Sequence, residues 1–401
     1  MSDVESFGLV VLVAGVVITV AVLANRISVW VRVPAAAIFL LGAALVSDID
    51  PALYQLRKGT VEEVVTVALV VILFDGGMDL GWRRFREAAA AAALVGVAGT
   101  LVTAAGMAVL AHLILGLDWL EALLIGIAVA PTDPAVVFSV LGNRQTGGRS
   151  GTVLMGEAGL NDPVGIALMV SVLAAAGAGG GGGGPVDALV IFVLQMVVGA
   201  LVGAGGGKLL VEFMRRVPLP AEALHPLRAL AGALVIYGVA TVAHGSGFLA
   251  VFVAGMLIGD AQAPFKREVE RFHDVLASLA EITAFVALGV TVPLSTVARS
   301  GEWVVGLELA ALLVFVVRPL LVGPLLLPLR LSWGERAFVL WSGLKGAVPI
   351  LLAVFVVVAG APNAGRIYDI VFVVVAFSVI VQGSLIPIVA SALRVPAQAP
   401  P

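Results

Sequence analysis

Long apolar runs alternate with short polar connections along this chain. The pattern predicts thirteen membrane spans, at roughly 7–25, 33–47, 61–80, 88–115, 119–141, 150–176, 186–214, 227–244, 246–260, 275–297, 302–328, 335–359 and 368–393. Backbone groups in hydrocarbon must be satisfied within their own segment, and these runs are too long and continuous for barrel strands. The fold class is therefore an all-α polytopic membrane protein. The second and ninth runs are short, at about fifteen residues, which suits tilted or partly buried helices. Two runs are interrupted. Ala130-Pro131-Thr132-Asp133-Pro134 breaks the fifth, and Trp341-Ser342-Gly343-Leu344-Lys345-Gly346-Ala347-Val348-Pro349 breaks the twelfth. An offset of seven spans puts the two in opposite orientations, the arrangement expected of inverted repeats with two discontinuous helices crossing near the midplane.

Composition reinforces this reading, since the chain is 61% hydrophobic and only 12% charged. Cysteine is absent, so disulfides and thiolate metal sites are excluded. No basic patch interleaved with aromatics supports nucleic-acid binding. The chain opens with Ser2, Asp3 and Glu5 and shows no small-residue cleavage pattern, which argues against a removable signal peptide. With the N-terminus outside, 17 Lys and Arg residues fall on the inner side and only Arg57, Lys58, Arg299 and Arg366 on the outer. That bias predicts an integral protein of the inner cell membrane with N out and C cytoplasmic. Gly177–Gly184 reads as a flexible outer linker, and 261–274 as an amphipathic stretch beside headgroups. No soluble domain is expected after Arg394, so residues 1–401 read as one transporter domain. Its transport helices are expected at about 61–176 and, in part, 275–393, with scaffold helices at about 7–47 and 186–260.

The chemistry lies in ionised residues at bilayer depth, where a charge costs at least about 2.5–3.5 kcal/mol and is kept only for pairing, a cavity or function. At about 1.5 Å per helical residue, Asp75, Asp133, Asp162 and Lys345 all come out near the midplane. Asp162, beside Asn161 and before Pro163, is the candidate transporting carboxylate, able to hold a monovalent cation or a proton in turn. Thr132 offers an oxygen to the cation. Asp133 reads as neutralising the positive end of a half-helix in preference to contacting the ion. Glu157, one turn before Asn161, is the natural partner of Lys345, the alternative being a direct Lys345–Asp162 pair. Asp75 faces the same cavity, Asp79 lies nearer the surface, and Glu281 reaches either the site or the interface. Arg318 is expected to snorkel toward the inner surface. His112, His225, His244 and His273 lack ligand spacing, and Gly205-Gly206-Gly207-Lys208 lacks that of a nucleotide loop.

Five segments resemble the monovalent cation:proton antiporters of the NhaP type. They are Phe74-Asp75-Gly76-Gly77, Ala130 to Pro134, Gly156-Glu157 with Asn161-Asp162, Gly245 to Ala250, and Gly343 to Pro349. The resemblance implies an NhaA-like homodimeric exchanger of Na+ or K+ for H+, working by an elevator-like motion in pH homeostasis. It also implies Asp162 as the shared carrier, supported by Thr132, Asn161 and Glu157, with no cofactor beyond the transported ions. Ala158 stands where similar proteins often have Ser, and Lys345 where they usually have Arg. The Phe-Asp-Gly-Gly and Asn-Asp-Pro segments look closer to the potassium branch, and Asn-Asp suggests electroneutral exchange. Rival readings are a cation channel, which would need a repeated pore lining, and a proton-coupled exporter of another small solute. No enzyme constellation competes.

Overall fold

The structure is a computed structural model that describes residues 34–49, 58–133, 149–177 and 183–395, with the isolated positions 15, 19, 20, 23 and 137. The first expected span, the second half of the fifth with Pro134, and most of the glycine linker lie outside the described residues. Among those described, the architecture is helical throughout: α1 (Ala35–Ile49), α2 (Lys58–Leu80), α3 (Trp82–Ala92), α4 (Gly99–Leu115), α5 (Trp119–Ala128), α6 (Arg149–Ala175), α7 (Pro185–Arg216), α8 (Leu224–Val242), α9 (Gly247–Gly259), α10 (Lys266–Gly289), α11 (Leu294–Ser300), α12 (Glu302–Leu312), α13 (Trp333–Trp341), α14 (Ala347–Val358), α15 (Ala364–Phe377) and α16 (Gly383–Ala392). Seven helices are long and apolar enough to cross a membrane, and α1, α5, α9 and α14 are shorter apolar helices. The amphipathic stretch expected at 261–274 is largely the first turns of α10.

Three joints are π-helical: Ala93–Ala98 between α3 and α4, Leu313–Val322 after α12, and Ser378–Gln382 between α15 and α16. The second holds Arg318-Pro319, and proline removes a ladder donor there. Such wide turns concentrate at functional sites, and the second and third deliver Arg318, Ser378 and Gln382 to the region described below.

Packing divides the helices into two groups. Gly199, Gly203 and Gly207 of α7 lie against the backbone of Ser246, Ala250 and Ala254 in α9, while Gly77 of α2 and Gly255 of α9 abut each other's helix backbone. Small residues at these spacings let whole helices meet at backbone distance, so α2, α7 and α9 form one tightly joined slab, with α1, α8 and α10 packed onto it. In the second group α4 packs on α5, α12 on α15, and α14 on α15. Helix α2, within the segment expected to hold transport helices, packs on α9, and α10 packs on α2 and α1. At one end of the second group Arg366 ties Glu121 of α5 to Glu302 of α12.

Candidate functional site: crossed helix breaks beside an acidic cavity

Both interruptions anticipated in the sequence are present, and they touch. Helix α5 stops at Ala128 and the chain continues non-helically to Asp133, while α13 stops at Trp341 and helix resumes only at Ala347. The Asp133 amide donates to the Leu344 carbonyl at 2.8 Å, joining the two breaks through the backbone. Each break also sends a charge to the other's open helix end. The Lys345 ammonium donates to the carbonyls of Ala130 and Pro131 at 3.0 and 2.9 Å, just past the C-terminal end of α5. The Asp133 carboxylate lies against Gly346, the residue preceding α14, and a Cβ at Gly346 would fall on it. A cation at a helix C-terminus and an anion at an N-terminus each oppose the local partial charge. The arrangement is reciprocal.

This geometry corrects the expected Lys345–Glu157 ion pair. Glu157 pairs instead with Arg318, whose guanidinium stands 3.2 Å from Oε1. Arg318 is 1% exposed and also donates to the carbonyls of Leu340 and Val339, so it does not snorkel to the surface. The physical reason is that two orphaned carbonyls at the α5 end satisfy Lys345, and the wide turn around Arg318 delivers a larger, five-donor group to the carboxylate. Gly343 lies directly against that guanidinium, where any side chain would displace it.

Behind the crossing, Asn161 Nδ2 donates to the hydroxyl and the carbonyl of Thr132, at 2.6 and 3.2 Å. The Thr132 hydroxyl donates in turn to Glu157 Oε1 at 3.2 Å. All three side chains are buried, and Glu157 Oε2 and Asn161 Oδ1 accept no hydrogen bond among the described residues. The second break is anchored separately. The Lys345 amide donates to the Ser378 hydroxyl at 2.9 Å, that hydroxyl donates to Gln382 Oε1, and Gln382 and Trp341 bond each other's carbonyls. Sequence reasoning missed Ser378 and Gln382, whose signal was two polar side chains four residues apart in an otherwise apolar run. It also misjudged Arg318.

A cavity of about 480 Å³ opens between the two helix groups. Asp162 and Asp133 line one wall, Asp75 and Asp79 of α2 with Asp274 and Glu281 of α10 line the other, and no Lys, Arg or His lines it among the described residues. Carboxylate oxygens of Asp75, Asp79 and Asp274 lie within 4.8 Å of one another at its mouth. Asp162 is half-buried, and the charges acting on it are those of Asp133 and Lys345. No hydrogen bond to its carboxylate is made among the described residues. The Phe252 ring of α9 packs on Gly159, three residues before Asp162, so closely that a Cβ there would strike it. Of the expected site residues, Asp75, Asp133 and Asp162 thus share the cavity, whereas Thr132, Asn161 and Glu157 form the buried network behind it.

The sequence model of the family described as "Sodium/hydrogen exchanger, transmembrane" matches residues 57–392. The K(+)/H(+) antiporter NhaP of Alkalimonas amylolytica is 35% identical over 393 residues, covering 97% of this chain and 68% of that protein. The K(+)/H(+) antiporter NhaP2 of Shewanella sp. strain MR-4 is 33% identical over 385 residues, covering 95% of this chain and 66% of the relative. The chain therefore spans about two thirds of the length of these curated relatives. Among solved structures, the sodium proton antiporter MjNhaP1 of Methanocaldococcus jannaschii at pH 8 superposes with a TM-score of 0.81. It is 22% identical, with 96% of this chain and 99% of that one covered.

Proposed function

Because the chain belongs to the sodium/hydrogen exchanger family, we propose that it is a secondary antiporter of the NhaP type that exchanges K+ or Na+ for H+, with Asp162 as the carboxylate the two share. One observation carries the assignment of Asp162. Of the charges at and beside the two breaks, Glu157 is engaged by Arg318, Lys345 by two carbonyls and Asp133 at the α14 end, whereas Asp162 faces an acidic cavity with no donor bonded to it among the described residues. A carboxylate at bilayer depth that faces other carboxylates without a protein donor is balanced by a cation or a proton. It exchanges one for the other.

Thr132 and Asn161 act in this reading by holding the break in shape beside Asp162, with Glu157 and Arg318 as the anchor beneath them. Asp75 and Glu281 draw cations toward Asp162 across the cavity. The group containing α4, α5, α6 and α12 to α16 slides as one body against the slab of α1, α2 and α7 to α10, across an interface that includes the packing of α6 on α7 and the contact of the Phe252 ring with Gly159. Thirteen spans in inverted repeats, N outside and C cytoplasmic, one-for-one electroneutral exchange and a homodimer joined through slab helices complete the proposal. The exposed apolar face of α7, with Val190, Val193, Val197 and Leu201, leaves room for lipid or a second copy.

The test is a pH-gradient dequenching assay in proteoliposomes with K+, Na+ and Li+ added in turn. Saturable dequenching by at least one cation without a membrane current is the expected result. Flux that needs no opposing proton movement would favour a channel and defeat the reading. The K(+)/H(+) activity named for both relatives makes K+ the first cation to try.

A further inference from the structure

A second cavity, of about 320 Å³, lies where the C-terminal end of α7 meets the start of α8 and of α10. Arg215, His225, Pro218, Leu219, Pro264 and Phe265 contribute to its walls. Its depth in the bilayer follows from α7. That helix is 32 residues long, roughly 48 Å at 1.5 Å per residue against a hydrocarbon core of about 30 Å. After Asp187 in its first turn, its charged residues resume at Lys208 and continue with Glu212, Arg215 and Arg216. Arg215 stands about 10 Å beyond Lys208 along the axis, at headgroup level.

Among the described residues, the hydrogen bonds of this corner leave two buried donors stranded, Arg228 Nε and His225 Nε2, and the second lies on the cavity wall. Arg228 closes the end of α7 by donating to the carbonyls of Phe213, Met214 and Val217. It also bonds His225 Nδ1 at 3.0 Å. A guanidinium has no acceptor, so Nδ1 must accept, and the proton of the neutral imidazole then sits on Nε2. His225 is 2% exposed and its Nε2 has no partner among the described residues. An unpaired buried N–H costs about 1–3 kcal/mol, and this one belongs to a side chain on the wall of a cavity that also holds a guanidinium. The remaining walls are proline and hydrocarbon.

We propose that this pocket binds a phosphate oxyanion, with the phosphodiester of an anionic phospholipid as its source in the membrane. His225 Nε2–H and the Arg215 guanidinium hold the phosphate oxygens, and Pro218, Leu219 and Phe265 cover the glycerol and upper acyl carbons. The ring of Phe265 packs at a tilt against His225, with 4.4 Å between centroids. Phe265 is also the left-handed residue, φ 57°, that starts α10, the helix that carries Asp274 and Glu281 into the acidic cavity. A bound headgroup thereby joins the end of α7 to the start of a cavity wall.

The experiment measures the thermal unfolding midpoint of the purified protein in detergent. Phosphatidylglycerol, phosphatidylcholine or inorganic phosphate is titrated in, for the natural chain and for Arg215→Gln, His225→Asn and His225→Gln. Asn places an oxygen near Nδ1 for Arg228 and removes the Nε2 donor, whereas Gln reaches the Nε2 position with an N–H. Phosphatidylglycerol should raise the midpoint by several degrees, phosphatidylcholine should not, and Arg215→Gln and His225→Asn should lose more than half of the gain while His225→Gln keeps more of it. A matching rise with millimolar phosphate alone would support the pocket and assign it to the free anion. Full stabilisation of His225→Asn and Arg215→Gln, or an equal rise with phosphatidylcholine, would overturn the proposal.

Discussion

Arg318 and Glu157 form an ion pair sealed from solvent, with 3.2 Å between guanidinium and carboxylate. Removing one member of such a pair leaves an uncompensated buried charge and costs about 3–5 kcal/mol. Arg318→Leu is expected to lower the unfolding midpoint strongly. The double variant Arg318→Leu/Glu157→Leu should recover part of the loss, as read from thermal unfolding in detergent. Additive losses would mean that the two side chains act independently.

Asp162→Asn should abolish exchange while the unfolding midpoint stays near that of the natural chain, because its carboxylate accepts no hydrogen bond among the described residues. Asp162→Glu retains the charge and should keep measurable, slower turnover. Proteoliposome dequenching checks both, and normal turnover in the Asn variant would remove Asp162 from the mechanism.

Lys345→Met deprives the Ala130 and Pro131 carbonyls of a charged donor, at about 1.5–3 kcal/mol per bond. Stability should fall and the charge moved per transport cycle should stay constant. A changed stoichiometry, measured as current against flux, would instead mean that Lys345 alternates with the cation at Asp162.

Asp75→Asn and Glu281→Gln are expected to raise the apparent KM for the cation several-fold and to leave the maximal rate nearly unchanged. Their carboxylates face the cavity from the wall opposite Asp162. Attraction of this kind is screened by salt, so both variants should also flatten the dependence of KM on ionic strength.

Gly159→Ala puts a methyl group into the Phe252 ring. Overpacking of this order costs about 1–3 kcal/mol, and it falls on the interface proposed to slide. Turnover should drop about tenfold, equivalent to about 1.4 kcal/mol, and the added change Phe252→Ala should restore it.

Much of this site is readable from residue order alone. Proline and glycine clustered with polar and charged residues inside an apolar run locate both breaks, and midplane depth groups Asp75, Asp133 and Asp162, which share one cavity. Partner choice was not readable, because it depends on which side chains the tertiary structure brings together. Lys345 and Glu157 are plausible by depth, yet Arg318 takes the carboxylate because a π-helical turn rotates it inward. The grouping of α2 with α9 escaped notice for a related reason. Gly76-Gly77 signals close approach without naming the helix approached, and Gly255 is its counterpart. Ser378 and Gln382, two polar residues in an apolar run, fasten the second break, a role that only the tertiary contact with Trp341 and Lys345 reveals.

Reciprocal closure of the two breaks has a consequence for biogenesis. Lys345 follows Ala130, whose carbonyl it satisfies, by 215 positions. When the fifth segment leaves the translocon, its open carbonyls therefore have no donor of their own and must be hydrated or held by other groups. Completion of the first half waits for the last portion of the chain to be synthesised. Release of a nascent chain before Lys345 should leave the earlier helices inserted but sensitive to protease at residues 129–133, and supplying the missing portion as a separate fragment should protect them.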